Sequence, residues 1–398
     1  MNHQIAKLYQ IGNKENRLII GLMSGTSLDG LDIALCDISG SGFTTSLKIR
    51  DFVTMDYEDE FRINIRKIFA QKQINQQDLC GINAYIGIVH AQLINKALKN
   101  WGIPNSEVDL IASHGQTVYH APQILTKDYS LPNSTLQIGD GDHIAVHTGI
   151  ITLSDFRQKH IAAGGEGAPL AAYGDYLLFT DAIENRILLN IGGISNFTFL
   201  PNSNSTLQAF ATDLGPGNTI MNQFMHKHYQ EEMDRDSKIA IQGNVNNTLL
   251  KALMEDDFLT LPFPKTTGPE LFNLSYLEQK QHKSNTNNLS NQDIMATLNA
   301  FSANAIVNGI KKVTEGLDNI AVYVSGGGLH NPLLMENIQK DLPAIKITSI
   351  AEIGIDPDAK EACLFALLAN ETIVGNPDNV SNIKDSPAVC MGKISLPL

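Results

Sequence analysis

Three glycine turns, each directly after an apolar run, hold most of the residues that could do chemistry. The first is Ser24-Gly25-Thr26-Ser27-Leu28-Asp29-Gly30, between apolar runs at 18–23 and 31–37. An Asp-Gly step between apolar runs signals a hairpin, because glycine tolerates the positive φ of a tight turn. This turn carries more hydroxyls and glycines than a minimal hairpin requires. Exposed N–H groups and hydroxyls of this kind can grip phosphate oxygens, and Asp29 could hold a metal ion through water; the plain alternative is a decorated hairpin.

The plan recurs at 186–201, RILLNIGGISNFTFLP, where Gly192-Gly193 turns between two apolar runs. A third turn, Gly326-Gly327-Gly328, follows the apolar run 320–324. Two strand–turn–strand units in separate halves of one chain suggest a duplicated domain with facing phosphate loops. Three such turns point to a nucleotide-binding cleft between two lobes.

Polar groups at other strand ends are the remaining candidates. Residues 108–112 read as a buried strand delivering His114, Gln116 and Thr117 to its carboxyl end, where ligands bind in open α/β sheets. His114 is either a satisfied core histidine or part of a polar pocket. A strand at 150–153 ends at Asp155 and Arg157, which share a side of the chain and either recognise a polar substrate or pair with each other. Asp213 precedes a Gly-Pro-Gly-Asn loop and a helix at 219–228, a favourable place for acid–base or phosphate work. With Asn218 as the helix cap, Asp213 is left for another task. Glu361 sits in the first turn of an apolar helix, and either favours its dipole or points into the cleft. Lys265 and Thr266 are further contacts, in a proline-punctuated loop. Asp140 and Asp142 read as a turn, since the other ligands of a calcium loop are missing.

The elements that must position these groups are an α/β set. Helical spacing of apolar residues covers 61–69, 90–101, 293–313 and 333–342, and a further helix runs from Pro169 through 179. Residues 1–16 read as a loose arm, 122–135 as a loop insertion, and 281–291 as a solvated loop. The glycine-rich 162–168 reads as the hinge between lobes. The expected division is 1–158 plus 357–398 as the N-terminal lobe, with the first phosphate loop and a returning C-terminal helix, and 159–356 as the second lobe.

Bulk properties narrow the function. The chain has 398 residues, 43% hydrophobic and 18% charged, with a net charge of −13. That size buries one large core or two, and that charge disfavours a nucleic-acid binder. Cys36, Cys80, Cys363 and Cys390 form no Cys-x-x-Cys pair, so neither a zinc site nor a disulfide framework is suggested. No apolar run approaches membrane-spanning length and no signal-peptide core is seen, so a cytoplasmic protein without a membrane partner is expected. The P-loop pattern, the protein-kinase motifs and the Gly-x-Ser-x-Gly elbow are all missing.

In order, MSGTSLDGLD (23–32), SHGQT (113–117), TLQIGDG (135–141), DFR (155–157), GGEGAPL (164–170), LNIGGISN (189–196), DLGPGN (213–218) and SGGGLHNPLL (325–334) resemble the anhydro-N-acetylmuramic acid kinase family. The match runs from about residue 17 to 374. The resemblance implies a two-lobed actin-like ATPase fold, shared with hexokinase, heat-shock chaperones and actin, with duplicated β-hairpin phosphate loops and an interlobe cleft. It implies MgATP-dependent conversion of 1,6-anhydro-N-acetylmuramic acid to N-acetylmuramic acid 6-phosphate, with water opening the anhydro bridge, in cell-wall recycling.

By that resemblance Gly25, Thr26, Ser27, Leu28, Asp29, Gly30, Leu31 and Asp32 bind ATP, with Asp29 the candidate for Mg²⁺. Gly192, Gly193 and Gly326 to Gly328 line the nucleotide side. Asp213 is the base that activates the water, and His114, Gln116, Asp155, Arg157 and Glu361 are candidate sugar contacts. Glu166 stands where Gln is expected and Leu214 where Thr is common. A conventional amino-sugar kinase and an ATP-switched binding protein of the actin or chaperone kind are the competing readings, and a homodimer is an assembly the sequence leaves open.

Overall fold

Apolar runs broken by glycine turns become strands, and the strands form two sheets. In the computed structural model, residues 1–25, 28–354 and 356–398 are described, Ile124 and Leu125 by backbone alone; Thr26, Ser27 and Ile355 lie outside the described residues. The chain divides into two units, 1–178 with 358–398, and 179–357.

The first unit holds β1 (Asn16–Ser24), β2 (Gly30–Ser39), β3 (Ser46–Asp56), β4 (Leu110–Ala121), β5 (Ser134–Ile138) and β6 (Ile151–Ser154). The second holds β7 (Asn185–Ile191), β8 (Ile194–Leu200), β9 (Phe210–Pro216), β10 (Ile320–Ser325) and β11 (Lys346–Ser349), and β12 (Lys393–Ser395) returns to the first. The sheets run β12-β6-β4-β1-β2-β3, with β5 paired to β4, and β11-β10-β7-β8-β9. In each unit three antiparallel strands are followed by two parallel ones on the far side of the first strand. The same order appears twice, with a glycine turn after the first strand both times. This bears out the duplicated, actin-like α/β fold expected from the motifs.

The division between units falls at 178/179, not in the glycine-rich stretch at 162–168. The helix Ala171–Phe179 stays with the first unit because it packs on the helix Lys360–Val374. Tyr173 is buried, Lys360 pairs with Asp175 at 2.8 Å, and a Cβ on Gly174 would meet Leu364 Cδ1 at 2.5 Å. The stretch at 164–167 is instead folded onto His160. The Gly167 N–H donates to His160 Nδ1 at 2.9 Å, and a Cβ on Gly165 would strike that ring at 2.2 Å. Glu166 is exposed there. Leu214 is buried, packed on Gly309, which accounts for an apolar residue at that position.

Other expectations change as well. The N-terminal arm is a helix, His3–Gly12, with Ile11 buried and Gln4 Nε2 donating to the Leu398 carbonyl at 3.0 Å. The stretch 122–135 contains a short helix, Gln123–Thr126, and the start of β5. The polar stretch from 281 begins inside the helix Leu274–Ser284, where Gln281 is buried.

The helix Lys360–Val374 is buried along most of its length, from Ala362 to Glu371, and lies against β1. Contact is possible because β1 carries Gly21: a Cβ there would sit 1.9 Å from the Ala362 carbonyl oxygen. Gly21→Ala must therefore push the helix off the sheet, an overpacking cost of about 3 kcal/mol. Urea denaturation should show the midpoint falling with the slope unchanged.

Candidate active site

In the first unit the site begins where β1 stops. β1 pairs with β2 in antiparallel register from Asn16↔Ser39 to Ser24↔Leu31. The Leu28 N–H reaches the Gly25 carbonyl at 3.4 Å, and Leu28 itself is left-handed (φ 61) with a buried side chain. Asp29 is exposed. Asp32 is half-buried and bonded to Thr54 Oγ1 at 2.6 Å; burial raises its pKa, and the nearby Asp358 raises it further.

β4 is longer than expected, because beyond Ser113 it leaves β6 and pairs with β5, while still meeting β1 at Gln116. His114, Gln116 and Thr117 thus lie within the strand. Gln116 is fully buried and bonded to Ser24 and Gly25, so it serves the turn and is not an open sugar contact. His114 is also buried, its ring tilted against Phe365, and its Nε2 accepts from Arg157 Nε at 3.1 Å. Burial, then the Arg157 charge, pushes its pKa down to about 3, so the ring is neutral and carries its proton on Nδ1.

Asp155 and Arg157 do not pair with each other. Asp155 pairs with Lys393 of β12, while Arg157 Nη1 donates to the Gly167 carbonyl at 2.7 Å. Burial lowers the Arg157 pKa to about 10, and Glu361 opposes that shift. Glu361 is reached by solvent, yet enough protein crowds its flanks to raise its pKa, with Arg157 pulling the other way. A cavity of about 470 Å³ opens beside His114, midway along β4 and at the carboxyl end of β6, walled by Gln137, Asp140, Asp142, Asp155 and Lys393. Asp140 caps the helix Gly141–Thr148 by accepting from the Asp142 N–H at 2.8 Å, the turn role expected for this pair.

In the second unit Gly192 and Gly193 join β7 to β8, and the Gly-Pro-Gly-Asn loop is seated on them. The amides of Gly217, Asn218 and Thr219 donate to the Gly193, Gly192 and Gly193 carbonyls at 2.8, 2.9 and 3.0 Å. A Cβ on Gly217 would lie 2.3 Å from the Gly192 oxygen. Asn218 does not cap the following helix, as the motif suggested. Its Nδ2 bonds back to the Gly192 carbonyl at 3.1 Å, tying loop to hairpin. Gly326 (φ 83) and Gly328 press on Asn190 and Ile191 at the end of β7, whereas a Cβ on Gly327 would face open space. Asn331 ends this turn by capping the helix Pro332–Asp341 through the Leu334 N–H at 3.0 Å.

Asp213 lies inside β9, just past a register shift opposite Ser195/Asn196. Its backbone N–H donates to the Lys265 carbonyl at 2.9 Å, and its Oδ2 accepts from the Thr267 N–H at 2.8 Å. Burial raises its pKa to about 6, against the pull of that N–H; Glu270 adds to the rise and Lys265 opposes it. A carboxylate of that basicity is half-ionised near pH 6 and mostly ionised at neutral pH, ready to accept a proton as a general base.

Lys265 is no ligand contact. Its side chain is buried, with Nζ donating to the Phe258 and Leu259 carbonyls at 2.7 and 3.1 Å and lying 4.3 Å from the Phe258 ring centre. Thr266 beside it is exposed. Among the described residues, no group of three His, Cys, Asp or Glu is arranged to hold a metal, and no helix is long and apolar enough to cross a membrane.

The family model for anhydro-N-acetylmuramic acid kinase matches residues 17–395. The chain belongs to that family. Proteins named anhydro-N-acetylmuramic acid kinase from Pseudoalteromonas atlantica, Pseudoalteromonas translucida and Caldanaerobacter subterraneus are 52%, 50% and 38% identical to it. The alignments cover 100%, 99% and 98% of this chain and 100%, 99% and 100% of those proteins. Among solved structures, a ROK family glucokinase from Streptomyces griseus in complex with glucose and AMPPNP overlays with a TM-score of 0.36 at 10% identity, over 88% of this chain and 98% of that one. A hexokinase from Schistosoma mansoni complexed with glucose gives 0.35 at 11% identity, over 88% and 85%. Those two overlays add nothing to the family assignment.

The site geometry separates groups that face chemistry from groups that hold the scaffold, and Lys265 is of the second kind. Lys265→Met strips two buried carbonyls of their donor, so stability should fall by about 2 kcal/mol in a thermal or urea melt.

Proposed function

We propose that this chain phosphorylates 1,6-anhydro-N-acetylmuramic acid at O6 at the expense of ATP, with hydrolysis of the anhydro bridge in the same turnover. Family membership over 17–395 supports the substrate and the phosphoryl donor. The single observation that carries the mechanism is Asp213, a half-buried carboxylate with its pKa raised to about 6 beside the Gly-Pro-Gly-Asn loop.

In this reading Asp213 takes a proton from the water that attacks the anomeric carbon. The bond from that carbon to O6 breaks, O6 attacks the γ-phosphorus, ADP leaves, and the proton on Asp213 is released to solvent. The Thr267 N–H keeps the carboxylate pointed while it cycles between forms. Release of ring strain helps to expel the oxygen that becomes the nucleophile. The turn at 25–32 would bind the ATP phosphates, with Gly192, Gly193, Gly327 and its neighbours on the nucleotide side; Thr26 and Ser27, assigned to ATP from the motif, lie outside the described residues.

Asp29, exposed at the turn, and Asp32, whose carboxyl feels Asp358, fit a divalent cation that keeps much of its water. Mg²⁺ bound there would neutralise charge on the phosphates. Arg157, aligned by His114 and Gly167, and Glu361 are the sugar-side groups the arrangement favours, with the cavity beside Asp155 next to them.

The decisive incubation uses MgATP and the anhydro sugar in ¹⁸O-water. One solvent oxygen in a phosphorylated sugar is expected; a phosphorylated sugar without it would mean a conventional kinase. Because Asp213 acts only when ionised, kcat/KM should rise through pH 6 and level above it. Asp213→Asn should retain nucleotide binding and its melting temperature while losing turnover by at least about 10²-fold. Near-normal turnover would remove Asp213 from the role.

A further inference from the structure

Beneath the first glycine turn runs a line of buried polar side chains that the chemistry above does not use. His90 Nε2 lies 2.9 Å from the Tyr57 hydroxyl, and Tyr57 donates to Ser24 Oγ at 2.8 Å. Ser24 donates to Gln116 Oε1 at 2.5 Å, and Gln116 Nε2 donates to the Gly25 carbonyl at 3.3 Å. All four side chains are at most 3% exposed.

The direction of every proton in this line is forced. An amide oxygen only accepts, so the Ser24 proton goes to Gln116. Tyr57 has one proton and must give it to Ser24, so His90 must donate through Nε2–H. Burial pushes the His90 pKa down to about 3, so the ring is neutral with a bare Nδ1, and that atom has no hydrogen-bond partner among the described residues. A buried acceptor without a partner costs stability, and an apolar side chain would fill the space with less penalty. Core packing alone gives no reason for a histidine here.

The line ends on the turn, and Tyr57 touches both of the turn's ends. Its hydroxyl holds Ser24 where β1 stops, and its backbone N–H donates to the Asp29 carbonyl at 3.2 Å, just before β2. Arg62 adds bonds to the Leu28 and Asp29 carbonyls at 3.1 and 3.2 Å. The Gly25 carbonyl takes both the Leu28 N–H and Gln116. We propose that Tyr57, His90 and Gln116 are positioning residues for nucleoside triphosphate: they fix Ser24, Gly25 and Asp29, on either side of the phosphate-binding turn, before the nucleotide arrives. Flanks fixed in advance spare binding the cost of fixing them. This inference rests on the assignment of the turn to ATP.

Tyr57→Phe tests it, because the ring keeps its stack on Phe61 (centroids 3.8 Å apart) and only the hydroxyl is lost. Calorimetry with a nonhydrolysable ATP analogue should show binding weakened about fivefold, the loss expected for one buried hydrogen bond. The KM for ATP should rise in parallel while the KM for the sugar stays within about twofold. If Tyr57→Phe does not fold, the pair His90→Leu and His90→Gln gives the same reading, since Gln restores a donor to Tyr57 and Leu does not. Tyr9→Phe, at an exposed tyrosine, is the control. Unchanged analogue affinity in the folded variants, or equal losses for ATP and sugar, would overturn the proposal. Failure of the unaltered protein to bind the analogue would overturn it together with the assignment of the turn to ATP.

Discussion

The proposed chemistry depends on keeping one carboxylate, Asp213, dry enough to be basic and bonded enough to stay aimed. Burial raises its pKa, and the N–H of Thr267 limits the rise. Thr267 can reach it because residues 265–267 lie alongside β9, joined by the Asp213 N–H to Lys265 carbonyl bond and by Thr212 Oγ1 to the Lys265 N–H at 3.0 Å. Lys265 in turn is pinned by two carbonyls and an aromatic face. A residue that looked like a ligand contact is a strut for the proposed base.

The two sheets solve the same positioning problem in different ways. Each places a glycine turn after its first strand and packs something against it from below. In the second unit the support is backbone: the 217–219 amides sit on the Gly192 and Gly193 carbonyls, close enough to exclude a Cβ at Gly217. In the first unit it is side chains, the line from His90 to Gln116. Backbone support needs glycine at close approach, so it leaves a motif. Side-chain support draws on residues far apart in sequence, so it leaves none.

That contrast explains what was legible in the sequence. Apolar runs ending at glycine marked β1, β2, β7, β8 and β10, and the repeat implied the duplicated fold. The carboxyl end of β4 was misjudged because a strand that changes partners, from β6 to β5, has no local signal for the change. Asn218 was read as a cap from its position before a helix, although its amide is more useful to the hairpin. Gln116 was a candidate sugar contact by family resemblance, and its side chain is buried and bonded to Ser24 and Gly25. A clue to His90 was present: it continues the spacing Ile82, Ile86, His90, Ile94 on the helix Gln76–Trp101, a histidine in a buried apolar stripe. Tyr57 had no such mark, since only the folded sheet brings it under the turn.

The measurement that bears most directly on the central claim is the titration of the aspartate side-chain carboxyl carbons by ¹³C magnetic resonance, comparing the protein with Asp213→Asn. The resonance missing from the variant should titrate near pH 6 and coincide with the acid limb of the rate. A midpoint near 4, the ordinary aspartate range, would show a carboxylate that burial has not made basic, and the account of Asp213 as a poised base would fail.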